Sequence, residues 1–164
     1  MEPIDEVSAR DLWAGYVAAH PEYADEQPPT ERFGDSAELA DELLALVLDG
    51  PKRATAGLVA EFRAEHEPLP RIGGHWLVAD GAGVARAVLR SRELRVGPLG
   101  SVDDQFAWDE GEGDRSRDYW LDAHRRFFTR SCARIGVEMS DDVEVVFERF
   151  DVVWPQRPDD TGGC

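Results

Sequence analysis

The sequence predicts a mixed α+β fold: a few helices around several short strands, arranged as a small β-barrel or curled sheet. Two observations carry this. Apolar residues recur at helical spacing in three segments, and short β-rich runs bounded by turn residues lie between them. A third narrows it: 164 residues with 42% hydrophobic content suit one globular domain without internal repeats.

The elements follow in order. Residues 9–19, "ARDLWAGYVAA", set Leu12, Trp13, Tyr16 and Val17 at helical spacing. "HPEYADEQPPT", 20–30, holds three prolines and reads as a loop. In "FGDSAELADELLALVLDGP", Asp35 is the expected N-cap, with Glu38 three residues on. Leu39, Leu43 and Val47 then form one stripe, widened by Ala40, Leu44 and Leu48, and Gly50 and Pro51 stop the helix. "HWLVAD" (75–80), the turn "DGAG" and "VARAVLRSRELRV" predict a hairpin, with Arg86, Arg90 and Arg92 on one face. Residues 116–134 return to helix, with Ser116 as N-cap and Tyr119, Trp120, Ala123 and Phe127 inward. Its arginines 125, 126, 130 and 134 lie toward the C-terminal end, where the helix dipole favours cations, and Gly136 ends it. "VEVVFERF", 143–150, is a strand, and 155–164 is expected to be a disordered tail.

Charge narrows the function classes. A net charge of −16 argues against tight, charge-driven binding to a long phosphate backbone. Residues 51–98 depart from the average, with 8 basic against 5 acidic side chains. No run approaches the ~18 consecutive apolar residues of a membrane span. The acidic start "MEPIDEVSAR" lacks the features of a secretory signal, so the expectation is a cytoplasmic protein without a membrane partner. Two cysteines, 132 and 164, are too few for a disulfide framework. Histidines 20, 66, 75 and 124 show no metal-ligand spacing, so neither metal nor cofactor is expected.

Two stretches carry candidate chemistry. In "DGPKRAT", Lys52 is the single lysine of a chain with 17 arginines, and it sits just past a helix end, three residues before Thr55. A partly desolvated lysine can shed its proton and act as a base, which arginine cannot. Beside a threonine hydroxyl it can activate a nucleophile; a solvated loop lysine is the plainer alternative. In "FAWDEGEGDRSRDYW", 106–120, Asp109, Glu110, Glu112 and Asp114 crowd together between glycines. Such crowding raises a carboxyl pKa for proton transfer, holds a divalent cation, or marks a solvated acidic loop. Trp108, Tyr119 and Trp120 offer a stacking surface for a base, or belong to the core.

With "EPLPRIGG" (67–74) and "HRRFFTRSC" (124–132), these stretches resemble the ASCH domain family of the wider PUA-like group, over about residues 30–150. The resemblance implies a PUA-like β-barrel of about six strands with flanking helices, covering 31–154; the helix and loop read over 1–30 lie outside it and are expected to pack on the domain. It implies a cleft for RNA or a nucleoside-like ligand. One branch of the family hydrolyses the acyl amide of N4-acetylcytidine with a Lys, a Thr and a Glu, which fall on Lys52, Thr55 and Glu110, with Glu112 as the fallback for the Glu. Those three are the expected base, nucleophile and proton shuttle. Arg53, Trp108, Glu112, Tyr119, Trp120 and Arg130 are the expected ligand-binding residues. The partner would be a nucleoside or single-stranded RNA; the alternatives are a non-catalytic binding module for single-stranded RNA or a nucleotide, and a ribonuclease. Arg53 and Gly74 stand where relatives often carry Lys or Thr, and Asp.

Overall fold

In the computed structural model, residues 1–156 are described, so the tail expected over 155–164 lies almost wholly outside the described residues. Helix α1 spans Glu6–Ala19, β1 Thr30–Glu31, α2 Ala37–Leu48, β2 Ala54–Leu58 and α3 Val59–Ala64. Strand β3 is His75–Ala79, β4 Ala85–Pro98, α4 Asp104–Glu110, α5 Arg117–Ile135 and β5 Glu144–Trp154. Short 3-10 turns occupy Pro21–Tyr23 and Leu99–Ser101. Among the described residues no helix is long and apolar enough to cross a membrane.

The strands form one five-stranded mixed sheet in the order β1-β3-β4-β5-β2. Strands β3 and β4 are the expected antiparallel hairpin, with Leu77 opposite Val88. Strand β1 runs parallel to β3, and β2 antiparallel to β5. The sheet is open, with β1 and β2 as its edges, which corrects the expected barrel of about six strands. The start of β2 shows one reason. The amide of Arg53 donates to the carbonyl of Asp109 in α4 (2.8 Å), and the carbonyl of Ala54 accepts from the Lys52 ammonium (2.9 Å). The Arg53 carbonyl faces β5, accepting from the Phe150 amide, so the Ala54 carbonyl faces the free edge, where a side chain and not a further strand meets it.

Other boundaries moved for local reasons. Helix α1 begins a turn early because the Asp5 carboxylate caps the amides of Val7 and Ser8. The cap of α2 is Ser36, whose hydroxyl accepts from the Leu39 amide at 3.1 Å, and not Asp35. Ser116 caps α5 as expected, but Tyr119 points outward, and Leu121, Phe128 and Cys132 join Trp120 inside. Helices α3 and α4 and strand β1 have no counterpart in the sequence prediction; each is six or seven residues or fewer, too short to show a period.

The chain divides into two compact units. The first comprises Met1–Gly50, Gly73–Arg90 and the segment from Asp151. Its core packs Tyr16 and Ala9 of α1 against Leu77 and Val88, with Trp13, Tyr23 and Trp154 around them. Buried there is His75, whose ring nitrogens meet Glu26 Oε2 at 2.9 Å and the Tyr16 hydroxyl at 3.0 Å. The second unit comprises Pro51–Ile72 and Ser91–Phe150. There α4 and α5 lay Phe106, Ala107, Trp120 and Phe128 over Ala54, Leu58, Val145 and Phe147 of β2 and β5.

Phe128 is fully buried in this second core. Phe128→Ala should lower the unfolding free energy by about 3–5 kcal/mol, read by urea denaturation; a loss below about 1 kcal/mol would contradict its place in the core.

Candidate functional site

The second unit buries a lysine. The Lys52 side chain is 1% exposed, and its ammonium lies 3.5 Å from Glu110 Oε1 and 3.3 Å from Glu112 Oε2. A buried charge is tolerated only when paired and hydrogen-bonded, and two carboxylates and a carbonyl meet that demand.

Helix α4 delivers the first carboxylate. Asp103 caps it by accepting from the Phe106 amide at 2.8 Å, and Phe106, Ala107 and Glu110 form its buried side. Gly111 ends it in the left-handed conformation, φ 72°. A side chain there would be strained and would also come within 2.9 Å of the Lys52 backbone nitrogen. Glycine thus lets the loop run directly against Lys52, so that Glu112, the next residue, reaches the ammonium. Tyr119 lies over Gly113, leaving that position no room for a side chain.

Helix α5 completes the cluster. The indole N–H of Trp120 donates to Glu110 Oε2, and His124 Nε2 lies 3.0 Å from Glu110 Oε1. One helical turn apart, the two rings stack at 3.7 Å with 12° between their planes. The other ring nitrogen, His124 Nδ1, meets the Trp120 carbonyl at 2.8 Å.

The electrostatics separate the two carboxyls. Burial would raise Glu110, but His124 and Lys52 outweigh it and hold the carboxyl far below the usual range. Glu112 is pushed up to about 7 by burial, which Lys52 opposes and the charge and hydrogen bond of Glu110 reinforce. Burial would lower His124, yet the Glu110 carboxylate raises it above its ordinary 6.5. Glu112 is also the most accessible of the four, its side chain 22% exposed against 12% or less for the others. Glu110, Glu112 and His124 offer ligand-type atoms within 4.8 Å of one another. The Lys52 ammonium already stands against both carboxylates, in the place a cation would take.

Of the expected site residues, Lys52, Glu110 and Glu112 are brought together, and Trp120 joins them as a buried donor. Thr55 pairs with Glu148 across β2 and β5, between Ala54 and Ala56, which turn to the core. Its side chain therefore points to the opposite sheet face. Arg53 lies alongside, its guanidinium donating to the Lys52 carbonyl at 2.7 Å. Trp108 and Tyr119 are exposed, and the Arg115 guanidinium stacks 3.7 Å from the centre of the Trp108 ring. Arg130 donates to the Arg126 carbonyl and lies over Phe127, about 15 Å along α5 from Trp120. His124 is the site residue that sequence reasoning missed. Its signal was the one-turn spacing from Trp120, which a search for metal-ligand spacing does not detect.

Comparison with known proteins agrees with this architecture. The ASCH domain family model matches residues 30–154. A crystal structure of a protein from Enterococcus faecalis V583 is 30% identical, with 89% of this chain and 88% of that one covered at a TM-score of 0.81. That of an ASCH domain from Lactobacillus crispatus JV V101 is 27% identical, covering 92% and 96% at 0.82. No curated protein matches the chain.

The raised Glu112 carboxyl links stability to pH. Between its ordinary 4.5 and about 7 the folded state keeps a proton that the unfolded chain has released. Its contribution is therefore fully present below about 4.5 and lost as pH rises through about 7. His124, also raised, acts in the same direction above 6.5, while Glu110 contributes oppositely, at the acid end. Glu112→Gln should flatten the fall in stability between about pH 5 and 7.5, by on the order of 1–3 kcal/mol, in denaturation curves taken across that range. An unchanged slope would place the Glu112 carboxyl in an ordinary environment.

Proposed function

The chain belongs to the ASCH domain family, and on that premise we propose that the Lys52 cluster is the catalytic end of a cleft for a nucleoside-like ligand, where an acyl amide such as that of N4-acetylcytidine is hydrolysed. The observation that carries this reading is the pairing of a buried ammonium with a partly accessible carboxyl, 3.3 Å away, that burial pushes up to about 7. A group so poised serves as base and acid in turn near neutrality.

In this reading ionised Glu112 takes a proton from water as its oxygen attacks the acyl carbon. The Lys52 ammonium stabilises the oxyanion that forms. Protonated Glu112 then gives its proton to the amide nitrogen as the C–N bond breaks, leaving a carboxylic acid and an amine. Glu110 remains ionised and holds Lys52 in place. The attack is assigned to water and not to Thr55, because the strand pairing that sets Thr55 opposite Glu148 favours the far face of β2 for its hydroxyl. Lysine is needed at position 52 because its compact ammonium fits between two carboxylates and a carbonyl, where the planar five-donor guanidinium would not.

Binding of single-stranded RNA without catalysis is the second reading. The exposed Trp108 with Arg115 on its face favours it, as a surface on which a base stacks.

Incubation with N4-acetylcytidine, following acetate by NMR, tests the first reading. Lys52→Arg and Glu112→Gln should each lose at least about a hundredfold in kcat/KM, while Thr55→Ala stays within about tenfold. Wild-type kcat/KM should rise with pH through about 7. Full turnover by Lys52→Arg would overturn the assignment. Nucleoside or RNA binding without turnover would favour the second reading.

A further inference from the structure

We propose that His124 and Trp120 are positioning residues: stacked on one another, they grip both oxygens of Glu110 with N–H donors, keep it as the permanent anion beside Lys52, and so leave Glu112 as the carboxyl that exchanges protons with the ligand. The purpose of this clamp rests on the hydrolytic reading above; its existence can be tested without any substrate.

The argument is one of donors and acceptors. His124 Nδ1 faces the Trp120 carbonyl, which only accepts, so Nδ1 carries a proton. His124 Nε2 faces Glu110 Oε1, which as a carboxylate oxygen also only accepts, so Nε2 carries the second proton. The ring is thus an imidazolium, flat against the indole whose own N–H is committed to Glu110 Oε2. With the Lys52 ammonium 3.5 Å from Oε1, Glu110 has cationic or N–H groups at both oxygens and no exposed edge on which to take up a proton.

The charge count explains what the clamp does for Glu112. The groups facing His124 are Glu110 of α4, Glu112 of the following loop and, across the carboxylates, Lys52 ahead of β2. Two cations and the Glu110 anion leave one positive charge in the buried cluster. Ionised Glu112 neutralises it; protonated Glu112 leaves it standing. Were His124 neutral, the same step would take the cluster from neutral to negative, which burial opposes. His124 therefore sets the working range of Glu112 without touching the ligand.

The first measurement uses the wild-type full chain labelled with nitrogen-15 at histidine. At pH 7.5 both ring nitrogens of His124 should show imidazolium N–H signals; a neutral tautomer would overturn the proposal. A second measurement follows carboxyl carbons in protein labelled with carbon-13 at glutamate. In His124→Gln the Glu112 titration should move upward by about one pH unit or more. In Trp120→Phe, which keeps an aromatic ring but removes its N–H, Glu110 should begin to titrate in the acid range. Unmoved titrations in variants with native amide spectra would overturn the clamp. An imidazolium His124 in a protein that hydrolyses no acyl amide would sink the reaction and leave the clamp standing; a neutral His124 in an active enzyme would sink the clamp alone.

Discussion

A lysine ammonium removed from water is the constraint from which the site follows. The desolvation of such a charge costs several kcal/mol, and it is met only if counter-charges and acceptors are brought to it. Here the counter-charges come from one short helix and the loop behind it, and the acceptor is the carbonyl of Ala54, two residues away. Burying Glu110 creates a second demand, since both its oxygens need donors and Lys52 faces only Oε1. Helix α5 meets that demand with Trp120 and His124. Each buried polar group thus obliges the next, and the cluster closes only when the helices are in register with the strand.

The same demands reach the backbone. A β-carbon at position 111 would come within 2.9 Å of the Lys52 nitrogen, so Gly111 follows from packing as well as from its left-handed φ. The first edge-facing carbonyl of β2, that of Ala54, is satisfied by the lysine itself, and β2 is an open edge of the sheet. The first unit solves a related problem with other residues. There the buried His75 is flanked by the Glu26 carboxylate and the Tyr16 hydroxyl, whose own pKa is raised chiefly by burial. In both units a buried ionisable side chain is matched by a carboxylate contributed from outside the strands.

What the sequence shows well is what depends on neighbours along the chain. The ends of α2 and α5 are written in Ser116, Gly50, Pro51 and Gly136, and the hairpin of β3 and β4 in "DGAG". The cap of α2 was misplaced by one residue because Asp35 and Ser36 are both good caps and only the local backbone chooses. Tyr119 is outward although its spacing suited the core, because it lies over the glycine loop instead. Helices α3 and α4 are too short for periodicity to reveal, yet α4 carries Glu110.

Composition alone made Lys52 conspicuous, and the crowding of Glu110 and Glu112 pointed to a perturbed carboxyl. Which of the two would be perturbed could not be read there, because it depends on what each meets. Glu110 meets His124 and Trp120 from a helix whose first turn begins several residues later, while Glu112 meets Lys52 and its own neighbour. Residue types, caps and glycines are local, so the sequence by itself determined the longer helices, the β3–β4 hairpin and the groups able to carry charge. The identity of the fixed anion and of the proton carrier depends on distances of a few ångströms between segments up to 72 residues apart, from Lys52 to His124. Because Coulomb and hydrogen-bond energies fall steeply over such distances once water is excluded, only the tertiary structure decided it.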